Sequence, residues 1–248
     1  LKPHILDFSS WVLNEDKFYQ DKLNDLFWND LNFDDSVRSK LLQIANDFYL
    51  TFKLDIPIGD IELTGSLANY NWTPKSDLDV HVLIDFSKIN PDLALAKKAM
   101  DGQRFVWNLR HNVVIRGHDV ELYLQDINEP HVASGLFSLL NNKWIRVPKY
   151  NPPQIDERDV EMKFLGIVND IKQLESRMKN IENPSDAKDL HGHAEKLKGK
   201  IMKMRKEGLE REGEFSVENL VFKKLRNEGY IQNIIDLVSG SYDKIYSE

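Results

Sequence analysis

The sequence predicts an α+β protein: a small mixed β-sheet carrying acidic residues, N-terminal helices against one face, and a C-terminal helical subdomain forming the other wall of a cleft. Three observations predict it. Apolar residues recur at helical spacing through the first fifty positions, alternate around Asp60 and Leu78, and return to helical spacing beyond Asp159. The dipeptide Arg116-Gly117 separates two extended runs and marks a hairpin. Residues 141–159, rich in Asn, Pro and charge, break every long periodic pattern and mark a boundary.

The elements follow in order. Phe8, Trp11, Val12, Phe18, Leu23, Leu26 and Phe27 suggest a first helix. Val37, Leu41, Leu42, Ile44 and Phe48 suggest a second, with capping residues in Asn32-Phe33-Asp34-Asp35-Ser36. Asp60 to Thr64 and Leu78 to Phe86 alternate with period two and read as strands. A helix runs from Leu93 to Leu109, followed by the strands Asn112–Ile115 and His118–Gln125. Past the boundary, Met162, Leu165, Val168, Ile171, Leu174 and Met178 suggest one helical face, with Phe164 and Ile167 beside it. Asn183-Pro184-Ser185-Asp186 opens a helix to Lys206, Ser216 caps one through Arg226, and Tyr230 to Val238 forms the last. The domains are thus a leader over 1–55, an α/β core over 56–150 and a helical subdomain over 151–248.

Composition narrows the function. The 248 residues are 41% hydrophobic and 29% charged, which is ordinary for a water-soluble domain. No apolar run reaches the roughly 18 residues of a membrane span. The opening residues carry Asp7, Glu15 and Asp16 where a signal peptide needs basic and apolar stretches. The absence of cysteine removes disulfides, thiolate metal sites and cysteine nucleophiles, and fits a reducing, cytoplasmic setting. A net charge of −7 argues against nucleic-acid binding over the whole surface, so any such contact needs a local patch.

Chemistry concentrates in Leu63-Thr64-Gly65-Ser66 and, ten residues on, Asp77-Leu78-Asp79-Val80-His81. A glycine and serine after a strand free backbone N–H groups to face an anion. In the strand that follows, Asp77, Asp79 and His81 project one way while Leu78, Val80, Val82 and Ile84 project into the core. Two carboxylates on one face repel unless a cation lies between them, and oxygen ligands suit Mg²⁺ or Mn²⁺. Glu121 offers a third acid, with Asp119 on the same face as its rival; Val120 and Leu122 place Glu121 inside the strand rather than at its entrance and favour it.

This ordered arrangement resembles the polymerase-β-like nucleotidyltransferases over residues 60–125. The resemblance implies a nucleotidyltransferase core and an NTP substrate whose nucleoside monophosphate passes to a hydroxyl with release of pyrophosphate. It also implies that Asp77, Asp79 and Glu121 hold two Mg²⁺ or Mn²⁺ ions, with Glu121 helping to activate the hydroxyl. Gly65 and Ser66 would grip the β- and γ-phosphates. Small stand-alone members carry a basic residue soon after the Gly-Ser pair, where this chain has Leu67-Ala68-Asn69-Tyr70. The approach Thr73-Pro74-Lys75-Ser76 is more similar to the branch of oligoadenylate and cyclic-oligonucleotide synthases. Phe215 to Phe222 resembles phage-encoded nucleotidyltransferase-like proteins.

Lys75 and His81 are candidate phosphate or substrate contacts, and Tyr70 and Trp72 candidate base-stacking residues, each against a plain local role. Trp107 and Trp144 read as core. His191 and His193 diverge on a helix and read as surface residues. Lys188 to Lys206 holds seven basic residues against two acids, an excess of five positive charges. It reads either as a solvated helix face or, through Lys196–Lys206, as a landing strip for RNA or DNA. Two other classes remain open: a catalytically silent binding or inhibitory module of the same fold, and a glycosyltransferase using the Asp-x-Asp pair, which needs a longer α/β region.

Overall fold

The computed structural model describes residues 19–131 and 133–247. The protein is α+β, and the chain divides into two compact units between Pro152 and Pro153.

The first unit opens with β1 (Trp28–Asn29) and β2 (Asn32–Phe33), which form a two-stranded ribbon. A helix expected through Leu23, Leu26 and Phe27 is absent from residues 19–34; Phe8, Trp11, Val12 and Phe18 lie outside the described residues. Asn24 explains the difference: its side chain accepts from Leu26 N–H, and its carbonyl accepts from Phe27 and Trp28, closing a turn. Leu23, Phe27 and Trp28 are buried one by one, and Trp28 Nε1 donates to the Leu67 carbonyl at 2.7 Å. Tertiary burial therefore outweighs the helical spacing.

Helix α1 (Asp35–Leu50) follows, with Asp34 as its N-cap, accepting from the N–H groups of Ser36 and Val37. Hydrogen bonds from Ser36 and Arg116 hold the Asp34 carboxyl well below the usual carboxylate range. Val37, Leu41, Ala45 and Phe48 form its buried stripe.

The main sheet contains β3 (Asp60–Thr64), β4 (Leu78–Ile84), β5 (Val114–Ile115), β6 (His118–Asp126), β7 (Leu136–Ser138) and β8 (Lys143–Arg146). Its order is β5-β6-β4-β3-β7-β8. Among the described residues, only β4 and β6 of this sheet pair in parallel; its other pairs are antiparallel. Arg116 and Gly117 both have positive φ, 51° and 85°, as the tight β5–β6 turn requires. Along β4, Leu78, Val80, Val82 and Ile84 are buried while Asp79 and His81 are half-buried, so the expected alternation holds. Helix α1 packs against β4 and β6.

Helix α2 (Leu93–Arg110), capped by Asp92, lies along β6. Its Asn108 donates to the Leu122 carbonyl at 3.0 Å and accepts from Leu122 N–H at 3.3 Å. One amide side chain thus satisfies the backbone where β5 no longer covers the edge. Strands β7 and β8 have no counterpart in the sequence reading. Leu136–Ser138 is only three residues, buried throughout, and shows no alternation, whereas β8 lies inside the stretch read as a boundary.

The second unit is helical: α3 (Glu157–Lys179), α4 (Pro184–Glu212), α5 (Val217–Asn227) and α6 (Tyr230–Tyr246). Asn183 and Ser216 cap α4 and α5 as expected. The buried stripe of α3 is Val160, Phe164, Val168, Ile171 and Leu174, which leaves Met162 and Leu165 exposed, contrary to the expected face. Helices α4 and α6 run past their expected ends at Lys206 and Val238. His191 is not a plain surface residue: its Nδ1 lies 3.1 Å from the Val238 carbonyl of α6. No helix among the described residues is long and apolar enough to cross a membrane.

Candidate active site

Strand register assembles the site. Thr64 of β3 pairs with Asp79 of β4, and Asp79 pairs with Glu121 of β6. Adjacent strands lie about 5 Å apart, so the three form one transverse row on the polar face. Asp77 stands just ahead of β4, two residues before Asp79, and is half-buried. Asp119 is exposed and pairs with Val114 at the β5 edge, away from Asp79. Register therefore brings Glu121, rather than Asp119, alongside Asp79. If Glu121 is the working third acid, Glu121→Gln should reduce catalytic efficiency by about 100-fold. Asp119→Asn should stay near wild type; steady-state kinetics on the pair decides the order.

The Gly65-Ser66 turn lies against this row. Gly65 has φ 75° and ψ −161°, and a Cβ built on it would fall 1.9 Å from Asp79 Oδ2. Only glycine lets the backbone approach the carboxylate this closely. The hydroxyl of Ser66 donates to Ser76 Oγ at 2.8 Å, and that same oxygen accepts from Thr73 N–H at 2.9 Å. His118 Nδ1 lies 2.6 Å from the buried Ser76 carbonyl. These bonds tie the turn to the residue immediately before Asp77. Lys75 is exposed at the tip of the intervening loop.

His81 belongs to the next row, with Glu62 on one side and Tyr123 on the other. Its Nδ1 lies 2.5 Å from Gln125 Oε1, and burial lowers its pKa to about 4, so the ring is neutral near pH 7. Its ring stacks on Tyr123 of this second row and lies 5.5 Å from that of His131, while Gln125 stands two positions further along β6. The Tyr123 hydroxyl donates to Glu121 Oε2. Burial, then the charges of Asp79 and Glu121, push the phenol far above its ordinary pKa, so it stays protonated and donates. Glu62 is only 5% exposed, and its Oε2 sits 2.9 Å from His131 Nε2 in the loop after β6. Sequence reasoning missed Glu62, Tyr123, Gln125, His131 and Arg104, whose guanidinium lies over the Tyr123 ring. Alternation along β6 already put Tyr123 and Gln125 on the Glu121 face; the others needed the fold.

The donor set fits a hard cation: Asp77, Asp79 and Glu121 offer only oxygen, and a backbone without a Cβ closes against one of the carboxylates. Among the described residues, no three His, Asp or Glu side chains form a preassembled metal cage. Mg²⁺ commonly completes its shell with waters and substrate phosphates.

Tyr70 packs against Tyr19 and Tyr150 at centroid distances of 6.0 and 5.3 Å, and Trp72 Nε1 donates to the Lys22 carbonyl at 2.9 Å. Both aromatics are engaged locally. Trp107 is buried, and Trp144 stacks on Trp28 at 4.6 Å. In α4, Lys198, Lys203 and Lys206 each pair with a glutamate of the same helix at 3.6–3.9 Å, and Arg205 lies over Phe222. Lys196 and Lys200 are exposed.

Comparison with protein-family models, with curated proteins and with solved structures gave no match.

Proposed function

We propose that the protein is a metal-dependent nucleotidyltransferase that moves a nucleoside monophosphate from an NTP to a hydroxyl. The observation that carries this reading is the Thr64–Asp79–Glu121 row with Gly65 pressed against the Asp79 carboxylate. In the reaction, the acceptor oxygen forms a bond to the α-phosphorus, the bond to the β-phosphate oxygen breaks, and pyrophosphate leaves. Asp77, Asp79 and Glu121 would hold two Mg²⁺ or Mn²⁺ ions. Bound there, these ions supply charge neutralisation at the attacking and leaving oxygens. Glu121 accepts or relays the acceptor's proton, and Gly65 and Ser66 orient the β- and γ-phosphates. Lys75, at its exposed loop tip, neutralises a phosphate, and His81 lends the site a neutral second row. NTP as donor goes with a cytoplasmic setting.

Labelling tests the reaction. With Mg²⁺ or Mn²⁺, the label of an α-³²P NTP should move to an acceptor while a γ-³²P label leaves as pyrophosphate. An α-label that stays in the NTP, with no labelled macromolecule, conjugate or oligonucleotide formed, would overturn transfer. A second reading is a silent nucleotide-binding module of the same fold. It calls for NTP-dependent thermal stabilisation without turnover.

RNA or DNA is the acceptor class that α4 would serve, through the face bearing Lys196, Lys200 and Lys203. Reversing these three charges should then raise the acceptor KM steeply and flatten its salt dependence, with the NTP KM unchanged. An acceptor KM indifferent to salt and to charge reversal would point to a small-molecule, nucleotide or protein hydroxyl.

A further inference from the structure

Glu121 is not left to itself on the polar face. Tyr123, two positions on along β6, donates its hydroxyl to Glu121 Oε2. Side chains two apart on a strand share a face, so this bond lies along the strand. The ring is held by two neighbours from different elements. His81 of β4 stacks on it at 4.6 Å with the planes 21° apart. The Arg104 guanidinium of α2 lies 4.5 Å from its centroid, a cation–π contact. His81 is itself anchored to Gln125 at 2.5 Å. A half-buried tyrosine can satisfy its hydroxyl with water; here a chain of contacts from β4, β6 and α2 aims it at one carboxylate oxygen.

We propose that Tyr123 is a positioning residue: it holds Oε2 of Glu121 and thereby presents Oε1 to the metal and the acceptor. This rests on the nucleotidyl-transfer reading of the site. A half-buried glutamate without such a bond samples several rotamers, and every misdirected one removes a ligand from the row. Outer partners of a metal ligand act in this way, by fixing its orientation.

The test uses the full chain as wild type, Tyr123→Phe, Arg104→Gln and Asp79→Asn. Two quantities are read: Mn²⁺ affinity by electron paramagnetic resonance with a non-hydrolysable NTP analogue, and the kcat and KM of transfer. Tyr123→Phe keeps the ring and its stacking but loses the hydroxyl. It should weaken Mn²⁺ binding and lower kcat, each by about 10-fold, with the NTP KM nearly unchanged. Arg104→Gln keeps the hydroxyl but releases the ring, and should move both quantities the same way by a smaller factor. Wild-type Mn²⁺ affinity and kcat in Tyr123→Phe, with both lost in Asp79→Asn, would overturn the positioning role and leave the site reading intact. Wild-type values in Asp79→Asn would overturn both. Should Tyr123→Phe fail to fold, wild-type Mn²⁺ affinity in a folded Arg104→Gln would overturn the proposal instead.

Discussion

Replacing Asp79 with asparagine is expected to abolish nucleotidyl transfer while leaving the protein folded. Asp79 lies inside the sheet, paired on one side with Thr64 and on the other with Glu121. The substitution preserves shape and removes one negative charge. Losing a charged contact to the reacting centre costs on the order of 10³-fold in rate, and this position is the middle of the row. Stability should hold or rise, because Asp79 and Glu121 repel each other across adjacent strands. Transfer of an α-labelled NTP measures the first effect and thermal unfolding the second. Asp77→Ala is expected to behave alike. Wild-type turnover in either variant would remove the assignment.

The second large effect is expected from Gly65→Ala. The backbone at Gly65, φ 75° and ψ −161°, lies in a region essentially reserved for glycine, where another residue costs about 1–3 kcal/mol. The added methyl would also fall 1.9 Å from Asp79 Oδ2, so turn or carboxylate must move. A displacement near 1 Å at a reacting group can cost about 100-fold in rate, and a loss of at least that size is expected. Gly213→Ala is the matched control. Gly213 shares the φ of 75°, with ψ −155°, but a Cβ there meets nothing within 4 Å. It should lose stability by the strain alone, without losing transfer. Equal activity losses in the two variants would mean that backbone strain alone, not the approach to Asp79, explains the result.

Much of the site was legible because strands have a period of two. Alternation alone puts Asp79 and His81 on the face opposite Val80 and Val82, and Glu121 and Tyr123 opposite Leu122. Val120 and Leu122 on either side already favour Glu121 over Asp119 in the sequence, but which residue of β6 stands beside Asp79 depends on register. That register is a non-local pairing, fixed by the parallel ladder and by the β5–β6 turn. Glu62, Arg104 and His131 come from three separate elements and carry no shared local pattern.

The fold divides the same way. Caps and turn residues at Asp34, Asp92, Arg116-Gly117, Asn183 and Ser216 declare their elements through side-chain hydrogen bonds or φ preference, which are local. The ribbon at Trp28 and Phe33 defeats local reading, since its apolar spacing matches a helix while the Asn24 turn and burial in the sheet's core dictate otherwise. Strand β7 is three buried residues with no alternation, recognisable only once β3 offers it a partner. By itself the sequence determined the class α+β, most of the helices with their starts, and the three acids on a common side of their strands, because each depends on contacts within a few residues. Tertiary structure alone decided which acid faces Asp79, how closely Gly65 approaches it, and that Tyr123 holds Glu121, because each depends on groups that only folding brings together.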